Sequence, residues 1–320
     1  MAQVPTASKP DAVPRSEPRP ARPPRRRDRQ RLKETLTAYA FVGPSLFGVL
    51  AFLLLPLVIV AGLSLFDWKL LGTPKFVGLD NYEQLFGDGG IGHSLFVTIL
   101  YVALTIPVQT VLAMVLALLL NQRVRGLKIF RAMFVIPWIA TPVVMGLVWS
   151  WIFDPANGAI NEFLGIFDVA GPNWLSSVAL ALPAVAATQV WQFAGYNMLF
   201  FLAGLQTIPK DFYEAASLDG ASPVRQFFTI TLPLLRPTLF FVLVTNVIGS
   251  FQVFDTIFVM TDGGPANSTE VINYAIYQTA FKQFEFGYAA AIAMVLFLVI
   301  LAVTMAQVRY FNRKTTYDLT

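Results

Sequence analysis

Chemistry needs reactive side chains at workable spacing, and this sequence offers few. Its 320 residues include no cysteine and one histidine, His93. That excludes a thiolate metal site, a cysteine nucleophile and a paired-histidine metal motif. No Gly-x-x-x-x-Gly-Lys-Ser/Thr string occurs, so the chain is not itself a P-loop ATPase. What remains are neutral hydrogen-bonding groups in apolar surroundings. Asn246, Gly249 and Ser250 stand at i, i+3 and i+4, with Val253 at i+7, which makes one helix face. Gly249 opens room beside two side chains that can donate to and accept from hydroxyls. Gln192 and Tyr196 are four apart, with Asn197 beside them. Each of these residues can also serve as polar glue between helices. Asp255 is the one ionisable residue clearly inside an apolar segment, where a carboxylate is a functional hypothesis by default. It stands toward one end of that segment, so a structural contact suits it equally.

The elements that must hold these residues are membrane spans. Hydrophobic residues make up 56% of the chain and charged ones 13%, about half the usual share, so lipid must solvate much of the surface. Six segments are long and apolar enough to cross a bilayer as helices: 38–66, 95–121, 130–153, 177–205, 236–260 and 286–309. The fourth is the least clean, because Gln189, Gln192 and Asn197 interrupt it. Residues 1–36 are different, with ten Lys/Arg and seven Pro, a composition that cannot bury apolar surface. The block Arg25, Arg26, Arg27, Arg29, Arg31 and Lys33 reads as a topology signal, and contact with anionic lipid is compatible with that. Nothing aromatic is interleaved with it, which argues against nucleic acid.

Charge fixes the orientation. Twenty of the 23 Lys/Arg fall in the N-terminal tail, in the connections 122–131 and 206–236, and after the last span. The other three connections hold only Lys69, Lys75 and Lys282, against ten carboxylates. This split predicts that both termini are cytoplasmic. The 67–94 connection reads as an irregular stretch followed by a short amphipathic piece, Asn81–Phe86. His93 and the tryptophans 68, 138, 149, 151 and 174 fall near predicted interfaces, as membrane-belt residues do.

The 206–236 connection, QTIPKDFYEAASLDGASPVRQFFTITLPLLRP, is dense in helix punctuation. Pro209 suits a first helical turn, and Gly220 suits a C-cap with positive φ. Ser222-Pro223 reads as N-cap and first residue of a second helix, which Pro233 should break. Ala215 and Ala216 keep the first helix thin enough for a partner's groove, while Glu214 and Asp219 supply charges for such a contact. An ordinary surface hairpin of helices would carry the same signals.

Glu214-Ala215-Ala216, three residues, Gly220, nine residues, then Ile230-x-Leu232-Pro233 resembles the EAA motif of ABC-importer permeases, without departure. FVGLDNYEQLF (76–86), FRAMFVIPWIATPVVMGLVWSWIFDP (130–155) and FDTIFVMTDGGP (254–265) resemble the maltose-type sugar permeases. The likeness runs from about residue 38 onward. One departure is Val97-Thr98, where relatives often carry Asn-Thr.

The resemblance implies an all-α type I importer permease of six spans over residues 37–314, with short cytoplasmic tails at 1–36 and 315–320. It implies that Glu214, Ala215, Ala216, Asp219, Gly220, Ile230, Leu232 and Pro233 form the loop that couples to an ATPase, between spans four and five. It places substrate contacts on the Asn246–Ser250 face and at Tyr196. It implies a second homologous permease, two ATPase subunits that bind ATP and magnesium, and an extracytoplasmic sugar-binding protein in a bacterial cytoplasmic membrane. This chain would then be a transport subunit with no catalytic or metal site. The middles of the spans lack Lys and Arg, which favours a neutral sugar over glycerol 3-phosphate, a polyol phosphate that some relatives carry. Other polyols and amino sugars stay open. An ion-coupled secondary transporter would want several buried carboxylates or an inverted repeat, and neither is visible.

Overall fold

The computed structural model describes residues 26–69, 72–87, 89–122 and 126–312. Expectations for the tail before residue 26, for Arg123 and Arg125, and for the residues after 312 lie outside the described residues. Two compact units divide between Leu57 and Val58. The first unit is helical: α1 (Arg26–Val49) runs through a π-turn (Leu50–Leu54) into α2 (Leu55–Leu63), which crosses the division. From Lys33 to Leu63 this is one apolar helix of 31 residues. Phe41, Phe47 and Phe52 are all exposed, as on a helix whose solvent is not water.

After the end of α2 the second unit continues with two short strands, β1 (Phe66–Asp67) and β2 (Lys75–Phe76), paired antiparallel with Phe66 opposite Phe76. Next comes α3 (Asp80–Gly87), the amphipathic piece expected in this connection. Its Asn81 Nδ2 donates to the carbonyls of Ser64 and Phe66 at 2.8 and 3.0 Å, which ties the strand to the end of α2.

The bundle is built on α4 (Gly89–Leu120) and α8 (Ala181–Thr207). The two run parallel. Val97 and Tyr101 near the start of α4 pack in one cluster with Leu182 and Val185 near the start of α8. Ala113, Ala117 and Leu120 pack with Met198, Phe201 and Leu205 near their ends. Between them lie α5 (Leu127–Ile139), α6 (Pro142–Ile152) and the short α7 (Ala159–Gly165). After α8 come α9 (Lys210–Leu218), α10 (Pro223–Gln226), a π-turn (Phe227–Thr231) and α11 (Leu232–Leu234). Then follow α12 (Arg236–Phe251), α13 (Asp255–Met260), α14 (Ile272–Tyr277), a third π-turn (Gln278–Lys282) and α15 (Phe286–Asn312). Leu235 and Val242 at the start of α12 join the cluster at the end of α4, so α12 runs antiparallel to it. Tyr288 and Ile292 at the start of α15 join Ile91 at the start of α4, so α15 is parallel to α4.

Two expected spans are not single helices. The third, 130–153, bends by 100° between α5 and α6. Thr141 precedes Pro142 and so avoids the helical region; at φ −65° and ψ 147° it becomes the N-cap of α6. The fifth, 236–260, stops at Phe251 and restarts at Asp255, and it bends by 67° from the preceding Pro223–Leu234 segment. Three further helices or joined helices, Lys33–Leu63, Gly89–Leu120 and Phe286–Asn312, are each apolar enough to cross a membrane unbroken.

Glycines set the closest approaches. A Cβ on Gly195 of α8 would collide with the Phe134 carbonyl of α5, and one on Gly287 of α15 would collide with the Phe66 carbonyl of β1. Thr98 makes a link over a long sequence distance: its Oγ1 accepts from the Ile272 amide at 2.8 Å, at the start of α14. Val97 beside it is buried in the core. The Val-Thr departure noted above therefore leaves Thr98 as a cap on another helix. Thr98→Val removes that acceptor at constant shape and should lower stability by about 1–2 kcal/mol. A drop in the thermal midpoint of the detergent-solubilised protein measures it.

At the loop end near α13, Tyr274 donates its hydroxyl to Asp262 Oδ1 at 2.9 Å. Burial first, and then that carboxylate, push the phenol up to about 12, so the bond persists across the physiological pH range.

Candidate functional site

The residues of the 206–236 connection fold as their local chemistry dictates. Pro209, in extended conformation, caps α9 from outside, one position earlier than a first-turn proline. Gly220 has φ +76°. Around it the Ala221 amide donates to the Ala216 carbonyl at 2.9 Å and the Gly220 amide to Ser217 at 3.1 Å, which closes the helix with both carbonyls satisfied. Ser222 caps α10, with Pro223 at the first position. The second helix departs from expectation. Pro233 does not break it; the chain widens into the π-turn, where the Leu232 amide reaches back to the Phe227 carbonyl, and the break falls at Leu235. A proline lacks an amide and crowds the carbonyl four residues before it, and a widened turn accommodates both.

The motif divides into two groups. Glu214, Ala215, Asp219 and Gly220 are exposed on α9 and its cap, while Ala216 is half-buried. Leu218 is 90% exposed, and Phe212 is exposed too. Ile230 and Leu232 instead pack against the bundle with Tyr213, Leu205 and Leu235, and Pro233 between them is half-buried. Two links join the halves: Tyr213 Oη lies 3.0 Å from Thr231 Oγ1, and Gln226 Nε2 donates to Ser217 Oγ at 3.0 Å. So α9 is held at its root and bare on its outer face.

Two of the polar residues of the spans meet. Asn197 of α8 and Asn246 of α12 come together, with Asn197 Nδ2 donating to Asn246 Oδ1 at 3.2 Å. A residue not singled out above, Gln109 of α4, donates to the same oxygen at 3.2 Å. A lone glutamine deep within a 32-residue apolar helix was the signal for it. This triad leaves Asn246 Nδ2 and Gln109 Oε1 buried without a protein partner, one donor and one acceptor, which suits a hydroxyl. Asn246→Leu strips the acceptor from two amides and should cost about 1–2 kcal/mol, read as a lower thermal midpoint in detergent.

The other pathway candidates separate from this triad. Gln192 Nε2 donates to the Ala140 carbonyl at 3.0 Å, at the α5–α6 bend, so it is engaged in holding the bend. Tyr196 stacks on Trp138 at 4.2 Å between ring centres and meets Phe200 edge-on at 5.0 Å, leaving an aromatic row between α5 and α8. Gly249 is exposed with open space around it, whereas Ser250, 2% exposed, is buried. Val253 lies past the end of α12, so it does not continue that face. Asp255 is not inside a continuous span: it is exposed and occupies the first position of α13, where a helix start favours a carboxylate.

Residues 85–317 match the family described as binding-protein-dependent transport system inner membrane component. The trehalose/maltose transport system permease protein MalF of Thermococcus litoralis is 34% identical over 87% of this chain and 94% of its own. The sn-glycerol-3-phosphate transport system permease protein UgpA of Agrobacterium fabrum is 38% identical over 77% of this chain and 84% of its own. Among solved structures, a bacterial ABC transporter involved in the import of the acidic polysaccharide alginate has a chain that superposes with a TM-score of 0.78, covering 91% of this chain and all of that one at 22% identity.

Proposed function

The chain belongs to the family of binding-protein-dependent transport system inner membrane components, and from that premise we propose that it forms half of the translocation pathway of an ATP-driven sugar importer. It is a transport subunit; ATP and magnesium are handled by two partner ATPase subunits. A second, homologous permease completes the pathway, and an extracytoplasmic binding protein delivers the sugar.

The observation that carries the coupling role is the bare outer face of α9, anchored at its root by Tyr213, Ile230 and Leu232. A helix held on one side and unpartnered on the other can pass a push to the bundle. Closure of the ATPase dimer on ATP moves α9, and the π-turn and α12 carry the movement to the Asn246 triad. The pathway then alternates between its two facings by rigid-body switching.

Charge supports six crossings with both termini cytoplasmic, and packing supports the alternation among four of the helices. Helices α4, α8 and α15 run one way and α12 the other. Parallel α4 and α8 need one return crossing between them, and the bent α5–α6 pair is the chain available for it.

The substrate proposed is an uncharged sugar or polyol, because Gln109, Asn197 and Asn246 offer hydroxyl-matching groups and no cation bonds to them among the described residues. Likeness to a glycerol-3-phosphate permease favours a second reading, a phosphorylated polyol with its counter-charge on the partner permease. Pull-down of the tagged chain from detergent-solubilised native membranes tests the assembly. A P-loop ATPase and a second EAA-bearing permease should co-purify, and the associated binding protein can then be screened against sugars and sn-glycerol 3-phosphate. A chain recovered alone that moves solute under an ion gradient without ATP would overturn the assignment.

A further inference from the structure

A cavity lies beside the root of α9, away from the polar triad. It has a volume of about 540 Å³, and Asn121, Gln122, Arg131, Gln206, Lys210 and Tyr213 supply most of its polar wall. Leu118, Leu205 and Ile208 add an apolar wall. No carboxylate lines it among the described residues. Arg131 Nη2 donates to the carbonyl of Leu120, the last residue of α4, at 2.7 Å. Its Nε is buried without a partner, and no carboxylate pairs with the guanidinium among the described residues. A half-buried cation without a counter-ion is costly, and an anion beside it relieves that cost.

We propose that this cavity binds a phosphate group, held between Arg131 of α5 and Lys210 of α9. A guanidinium and an ammonium lining one cavity suit a phosphodiester, to which arginine donates in a fork and lysine as a point charge. The amides of Asn121, Gln122 and Gln206 match headgroup hydroxyls. The apolar wall favours a phospholipid over free phosphate, since acyl and glycerol carbons then have a surface to cover. That the cavity faces the cytoplasmic leaflet rests on the topology proposed above; the phosphate chemistry does not. A bound headgroup would cross-link the start of α5 to the start of α9, so it would set how firmly the coupling helix is held.

The test uses the intact importer complex in nanodiscs of phosphatidylcholine containing phosphatidylglycerol, with retained lipid counted by native mass spectrometry. Wild type should retain phosphatidylglycerol, and Lys210→Gln should lower its occupancy about tenfold, the loss of one charge-assisted bond. Arg131→Gln should do the same, but it also removes the Leu120 contact, so Lys210→Gln decides. Lys128→Gln, an equal charge change on an exposed residue of α5 outside the cavity, should retain the lipid. Titration with inorganic phosphate separates the sources: displacement of the lipid identifies a site open to free phosphate, and resistance identifies a site selective for the lipid, each in line with phosphate binding. Equal retention by wild type and Lys210→Gln, or equal loss in Lys128→Gln, would overturn the proposal.

Discussion

Glu214→Lys should sharply lower uptake by the proposed importer while leaving the protein at its normal level in the membrane. The Glu214 side chain is exposed on α9 and makes no hydrogen bond or ion pair among the described residues. Reversing its charge therefore leaves the fold almost untouched, within about 0.5 kcal/mol for such a surface site. The proposed contact is another matter. A like-charge juxtaposition across an interface costs several kcal/mol, and each ~1.4 kcal/mol is tenfold in affinity. Uptake should fall at least tenfold, and co-purification of the ATPase should fall with it. Glu214→Gln, which removes charge without reversing it, should lie between. Full uptake by the Lys variant at normal membrane abundance would remove α9 from the coupling pathway.

Gly195→Ala should be strongly destabilising, although it adds one methyl to a helix. In an exposed helix the same change stabilises by about 0.5–1 kcal/mol, because glycine loses more entropy on folding. Gly249 offers that comparison: it is exposed, and a Cβ there meets nothing within 4 Å. At Gly195 the added carbon collides with the Phe134 backbone carbonyl, which no rotamer change can relieve. Helices α5 and α8 must part, and Tyr196 and Trp138, stacked at 4.2 Å, part with them. Overpacking costs about 1–3 kcal/mol in ordinary cores, and a backbone collision belongs at or above the upper end. The thermal midpoints of the two variants in detergent should move in opposite directions. A Gly195→Ala protein as stable as Gly249→Ala would show that the two helices do not meet there.

How far the sequence could reveal this architecture depended on whether the cause was local. The coupling loop was legible because its signals act within a few residues. Gly220 closes α9 through its own φ and its neighbours' amides, and Ser222-Pro223 starts α10 by local geometry. The bend at Thr141-Pro142 is equally local, but the apolar run continues on both sides of it, and composition alone does not register backbone direction. The interruption between Phe251 and Asp255 has no proline, and tertiary packing of Val253 and Ile257 into the core accompanies it. That kept Asp255 assigned to a helix interior it does not occupy. Pairings between distant residues were out of reach. Gln192 was legible as a polar residue in a span, but its partner is a backbone carbonyl 52 residues away. Gln109 joined Asn246 across 137 residues. The aromatic and polar residues could thus be nominated from sequence, while their division into bend-holders and a central triad needed the packing.

The π-turn at Phe227–Thr231 is in effect a phase shifter. Each residue advances an α-helix by about 100°. A five-residue return in place of a four-residue one therefore offsets everything before it by roughly that angle relative to everything after it. Deleting one residue there should leave hydrophobic content and charge nearly unchanged, yet turn α9 about a third of a revolution against α12. The Tyr213–Thr231 contact would be lost, and the bare side of α9 would point elsewhere. The length of this stretch, more than its composition, would then set the angular gearing between the coupling helix and the bundle.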